Sequence, residues 1–209
     1  MATDETIERT RNPRGQGARL RGEIIAAARQ LLENGSAESV TLRSVARTVG
    51  ITAPSIYTHF TSRDEIMQAI VEEAFEELRE ILSVGADLEP AAQLRAVSDA
   101  YLRFARERPQ RYRLMFGGVW NAADAQRNAT VPPDLSDLGQ APMRVIIGVI
   151  QRCVDAGVID SDSPADDAAL LWISLHGYAE LKRTSPLFPW PADVEDQVIR
   201  RAVRLREHG

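Results

Sequence analysis

Lysine and cysteine are almost absent from this chain. Among its 209 residues, Lys182 is the one lysine and Cys153 the one cysteine. A lone thiol excludes an intrachain disulfide and a cysteine-built zinc site. Flanked by apolar residues, Cys153 reads as a small core side chain. No apolar run approaches the ~20 residues a membrane span requires. The amino terminus lacks a hydrophobic signal core, so the expected location is the cytoplasm. His59, His176 and His208 lie in separate segments, and no cluster has metal-ligand spacing. Nor is there a G-x-S-x-G elbow, a phosphate-binding glycine loop or a dinucleotide fingerprint. No metal, no cofactor and no catalysis are expected. The remaining composition, 44% hydrophobic and 26% charged, is that of a globular protein with one or two modest domains.

The net charge of −5 conceals a division. Residues 1–63 hold nine arginines (Arg9, Arg11, Arg14, Arg19, Arg21, Arg29, Arg43, Arg47 and Arg63) against six acids, +3, which leaves −8 for the rest. From Arg9 to Arg63 the balance is +6. A basic end on an acidic chain implies contact with a polyanion at that end. The rigid fork of arginine donors suits phosphate and guanine, although a bias in genome composition gives the same preference.

Residues 1–16 carry no periodicity and read as a flexible basic arm. A first helix follows, with Leu20, Ile24, Ala27 and Leu31 on one stripe and Asn34-Gly35 at its end, Gly35 being expected as a left-handed cap. Thr41 caps a short second helix that buries Val45, Ala46 and Val49 and closes at Gly50. Thr52 caps a third of about two turns, with Pro54 tolerated in its first turn. Ser62-Arg63-Asp64-Glu65 has the S-x-x-E form of a capping box and starts a long fourth helix.

A helix, a glycine turn and a second short helix make a helix-turn-helix. In "TAPSIYTHF", Ile56 and Phe60 fall four apart and anchor the helix. Ala53, Pro54, Ser55, Tyr57, Thr58 and His59 are left facing out. Small side chains permit close approach to a major groove, apolar ones meet thymine methyls, and hydroxyls and imidazole suit phosphates.

The stretch "VTLRSVARTVGITAPSIYTHFTSRDEI", residues 40–66, resembles the DNA-binding segment of the TetR/AcrR transcriptional regulators. The likeness rests on Thr41, Val45-Ala46, Gly50-Ile51, Tyr57-x-x-Phe60 and Arg63-Asp64-Glu65. It implies that Thr41, Arg43, Tyr57, His59 and Arg63 touch DNA. Two other readings stay open: the Tyr57 ring packed on the first helix, and His59 as a helix-end cap.

Beyond Leu82 the periodicity stays helical. Leu94, Val97, Tyr101 and Phe104 mark a fifth helix, and "RPQRYRLMFGG" a short one stopped by two glycines. Residues 121–137 read as a loop. Val145, Ile146, Val149, Ile150 and Cys153 form the next helix. Ser163-Pro164-x-Asp166 starts another, whose body "AALLWISLHGYAEL" is apolar nearly all round and should be buried on more than one side. Pro186, Pro189 and Pro191 break the chain before a last helix with Val194, Val198, Ala202 and Leu205 on its apolar stripe.

Trp172-x-x-x-His176-Gly177 resembles the tryptophan-histidine-glycine signature of one TetR carboxy-terminal domain type. In that family this domain binds a small molecule and dimerises, usually through its last two helices. Tyr101, Phe104, Met115, Phe116, Trp120, Trp172 and His176 are the candidate effector contacts, all of them residue types equally at home in a core. The expected architecture is all-α. Residues 1–64 form the arm and helix-turn-helix domain, and 65–209 a helical effector-binding and dimerisation domain. The expected partners are palindromic double-stranded DNA, a small apolar or aromatic effector and a second copy of the chain. The expected activity is that of a ligand-released repressor. An architectural DNA binder without effector and an all-α enzyme are the rival readings.

Overall fold

The computed structural model describes residues 17–128, 130 and 137–204. The basic arm with Arg9, Arg11 and Arg14 lies outside the described residues, as do Pro132, Pro133, Leu205 and His208. Among the described residues the chain forms ten α-helices and no strand. They are α1 (Gly17–Asn34), α2 (Leu42–Val49), α3 (Ala53–Ile56), α4 (Arg63–Leu82), α5 (Pro90–Glu107), α6 (Pro109–Phe116), α7 (Ala122–Arg127), α8 (Gln140–Asp155), α9 (Pro164–Thr184) and α10 (Val194–Ala202). Two compact units result. The first takes residues up to Ala74 together with Gln110–Ser136, and the second takes Phe75–Pro109 and Asp137 onward.

In the first unit, Ile24, Ile25, Ala28 and Leu32 of α1 are buried, as are Val45, Ile56, Phe60, Ile66 and Ile70. Gly35 is not the left-handed cap expected of it, since the positive-φ glycines are Gly50, Gly85, Gly118, Gly139 and Gly157. It sits in a tight place instead: a Cβ there would lie 3.1 Å from Ser39 Oγ and 3.2 Å from the Leu31 carbonyl. Thr41 caps α2 by accepting from the Ser44 amide at 3.0 Å, and Gly50 closes the helix at φ 75°. Regular helix in α3 is a single turn, shorter than expected, although the Phe60 amide still bonds the Ile56 carbonyl at 2.9 Å.

The start of α4 differs from a simple capping box. Ser62 Oγ accepts from the Glu65 amide at 3.1 Å, while the Glu65 carboxylate reaches one residue further back, to the amide and hydroxyl of Thr61 at 2.6 Å each. The 121–137 loop also needs correction. Asn121 accepts from the amides of Ala123 and Asp124 and so starts α7, a helix too short for periodicity to reveal.

In the second unit, α5, α8 and α9 bury Leu94, Val97, Tyr101 and Phe104, then Ile146, Val149 and Ile150, then Ala168, Leu171 and Leu175. Ser163 accepts from the Asp166 amide as the cap of α9. Contrary to expectation, α9 is covered on one side: Leu170, Ile173 and Leu181 are exposed. The α10 stripe is shifted as well. Ile199 and Val203 are buried, whereas Val194, Val198 and Ala202 are half-covered. Between the two helices Trp190 donates to the Ser185 carbonyl at 3.1 Å and meets Phe188 at 4.6 Å, while Lys182 lies 5.9 Å from the Trp190 ring.

Candidate nucleic-acid interface

The outward face of α2 and α3 is built on two fully buried anchors. Ile56 and Phe60 are 0% and 1% exposed, while Tyr57, in the same turn, is 57% exposed. The Tyr57 ring is therefore not packed away against α1. Ala53, Pro54 and Thr58 are exposed and Ser55 half-buried. Part of the polar character of the turn is used internally: Thr52 and Ser55 hydroxyls bond each other at 2.8 Å, and Thr58 donates to the Ser55 carbonyl at 2.8 Å. His59 is half-buried, and Gly17 at the start of α1 lies close to its ring.

On α2, Arg43 is exposed, and so is Arg47 one turn later on the same face. Arg47 was not among the expected contacts, although its i+4 spacing from Arg43 is readable. Thr41 is exposed while capping the helix. Arg63 is placed differently. Its guanidinium donates to the carbonyls of Val40 at 2.8 Å and Ala37 at 2.7 Å, tying the first turn of α4 to the segment that enters α2. Arg21 lies over the Phe60 ring at 4.8 Å, behind the recognition turn.

Residues 24–70 match the model of the bacterial regulatory proteins of the tetR family, which spans the helix-turn-helix just described. Residues 94–205, more than half of the chain, match the tetracyclin repressor-like carboxy-terminal domain. The chain belongs to the TetR family.

Relatives of the same kind span most of it. The HTH-type transcriptional regulator Rv1816 of Mycobacterium tuberculosis is 26% identical over 182 residues, covering 85% of this chain and 71% of the relative. The regulator Rv0681 of the same species is 25% identical over 202 residues, covering 90% and 84%. Among solved structures, a protein of unknown function from Rhodococcus sp. RHA1 superposes with a TM-score of 0.69 at 23% identity, covering 94% of each chain. The TetR family regulator PfmR from Thermus thermophilus does so at 0.58 and 21% identity, covering 88% of this chain and 99% of that one. At these identities the structural likeness establishes the fold alone.

The seven candidate effector residues of this TetR-family chain do not fall in one unit. Tyr101, Phe104, Trp172 and His176 belong to the second, and Met115, Phe116 and Trp120 to the first. In the second, Trp172 Nε1 donates to the buried Tyr101 hydroxyl at 3.1 Å. The Trp172 and His176 rings are 6.5 Å apart, and burial holds the His176 imidazole below its ordinary pKa, opposed by Glu180. In the first, Phe116 meets the buried Tyr112 ring at 5.1 Å, and Trp120 Nε1 donates to Asp64 Oδ1 at 3.2 Å. Asp64 Oδ2 accepts from the Thr130 hydroxyl at 2.7 Å, and Ser62 donates to the Thr130 carbonyl at 2.9 Å. These bonds fasten the segment after α6 to the first turn of α4. No pattern within either segment announces such a link.

Proposed function

We propose that this TetR-family regulator binds duplex DNA through the exposed faces of α2 and α3, as a homodimer, and acts as a repressor released by a small apolar or aromatic effector. The observation that carries the reading is the alternation within one turn: Ile56 and Phe60 are buried, while Tyr57 and its polar and small neighbours are not. Direct contact is assigned to Thr41, Arg43, Ala53, Pro54, Ser55, Tyr57, Thr58 and His59, with Arg47 added. Arg63 has a supporting role, fixing the entry to α2. The basic arm adds phosphate contacts, and the cytoplasm is the working compartment.

Dimerisation is assigned to the uncovered apolar stripe Leu170, Ile173, Gly177 and Leu181 of α9, with Val194, Val198 and Ala202 of α10. Leu175, on the opposite face of α9, is 1% exposed within its own chain and belongs to the core. Two half-sites on one face of the duplex then imply a palindromic operator. For the effector, the second unit offers Trp172, bonded to buried Tyr101 and close to His176, with buried Phe104 one turn after Tyr101 on α5.

The test is fluorescence anisotropy on a labelled duplex taken from upstream of the coding sequence, at several salt concentrations. Arg43→Ala and Tyr57→Ala are each expected to weaken binding by about 1–3 kcal/mol, with a steep loss of affinity as salt rises. Wild-type affinity in both variants removes the assignment.

A further inference from the structure

The first unit contains a cavity that DNA contact does not use. It has a volume of about 280 Å³ and lies where the end of α1, the 3-10 turn Ala37–Ser39 and α6 meet. Leu32, Leu114 and Val119 give it apolar walls, and Gln110, Glu38 and Arg113 give it polar ones. The two charges sit on different elements, Glu38 on the 3-10 turn and Arg113 on α6. Among the described residues no ion pair joins them. The Ser36 hydroxyl, the Glu38 amide and the fields of Arg63 and Arg113 hold the Glu38 carboxyl below its ordinary range, so it is ionised at neutral pH beside a permanent cation.

The wall after α6 has a geometry that only glycine supplies. A Cβ on Gly117 would lie 2.7 Å from the Arg113 carbonyl, and Gly118 has φ 68°. The volume is near the lower end for ligand sites, which limits the occupant to a small metabolite. One carboxylate, one guanidinium and a small aliphatic patch in an otherwise polar lining match a molecule carrying an ammonium, a carboxylate and a short apolar tail.

We propose that this cavity binds a small aliphatic zwitterion of the free α-amino acid class, as a ligand site within the DNA-binding unit. Both ends of the cavity lie next to the supports of the recognition turn. Glu38 sits between Ala37 and Val40, whose carbonyls receive Arg63, and Thr41 follows as the cap of α2. Val119 precedes Trp120, which bonds Asp64 in the first turn of α4. An occupant that holds Glu38 and Arg113 together acts on these supports, so occupancy changes duplex affinity. That second effect rests on the proposed DNA contact, whereas ligand binding does not.

Isothermal titration calorimetry on the full chain without DNA separates the two. The probes are L-valine, L-leucine and L-methionine, with 3-methylbutylamine and 4-methylpentanoate as analogues that each keep one charge. At least one amino acid is expected to bind, each analogue at least about tenfold more weakly, and Glu38→Gln and Arg113→Gln each to weaken it about tenfold. Both side chains are exposed, so circular dichroism and the unfolding midpoint should stay those of the wild type. No binding by any of the three amino acids, equal binding of an analogue, or unchanged binding in both variants overturns the site. The amino acid that binds is then added to the duplex complex. An affinity change of about 5-fold or more supports the coupling, and no change overturns it.

Discussion

The two units of this chain reveal themselves in opposite ways. The first is specified by local chemistry: a threonine cap, a left-handed glycine and a one-turn helix that ends on buried Ile56, with a second buried anchor, Phe60, four residues later. Each device acts within a few residues, so its sequence trace is sharp. The second is made of long helices whose apolar residues outnumber those their own chain can bury. On α9, Leu171 and Leu175 face inward while Leu170, Ile173 and Leu181 do not. Hydrophobic residues state that a surface is to be covered, and leave open whether the cover is the same chain or another copy.

The largest effect that sharpens this contrast is expected within the recognition turn itself. Phe60→Ala removes a ring that is 1% exposed and carries the Arg21 guanidinium, and should cost about 3–5 kcal/mol of stability. Tyr57→Ala, three residues earlier, should leave the unfolding midpoint within about 0.5 kcal/mol of the wild type, because the ring is exposed. Equal losses of stability from the two would show that the turn has no outward face.

The same comparison applies to α9. Leu175→Ala should destabilise by about 2–5 kcal/mol in denaturant unfolding. Ile173→Asp, at a position 61% exposed, should leave the fold intact and shift light scattering toward the monomer. A dimer that survives Ile173→Asp unchanged moves the interface away from this stripe.

Fold and site were legible to different depths for a physical reason. Thr41, Gly50, Ile56, Phe60 and the Ser163 cap could be read because their partners are three or four residues distant. Gly35 shows the limit, since a glycine before a loop signals conformational freedom and close packing alike, and only the neighbouring Ser39 distinguishes them. Asp64 lies further beyond reach. Its partners Trp120 and Thr130 are 56 and 66 residues away, so Trp120 read as a pocket residue and Thr130 as loop. Arg63 was identified by resemblance as a DNA contact, while its observed donors go to Ala37 and Val40.

Asp64→Asn tests that long-range fastening at a smaller scale. It keeps the shape and removes the charge that receives the Trp120 indole and the Thr130 hydroxyl. A loss of about 1–3 kcal/mol is expected, with faster hydrogen exchange at residues 122–128 before any change in α2. Uniform exchange across the first unit would show instead that the segment after α6 unfolds only with the rest.

The smallest effect concerns how dry the second unit is around His176. Burial lowers this imidazole from its ordinary pKa of 6.5, and Glu180 partly opposes the shift. Well above pH 6.5 the ring is neutral in both folded and unfolded chains and contributes no pH dependence. As pH falls below 6.5 the unfolded chain takes up the proton first, so stability declines, and the decline ends once the folded form also protonates. The ring is half-buried, so the contribution should be on the order of a few tenths of a kcal/mol. Urea midpoints at about pH 7.5 and about pH 5.5, measured for the wild type and His176→Gln, isolate it because every other titrating group is common to the two proteins. The wild type should lose more stability between the two pH values than the variant does. An identical loss would mean that water and Glu180 reach the ring freely, and that the second unit keeps no dry polar anchor beside Trp172.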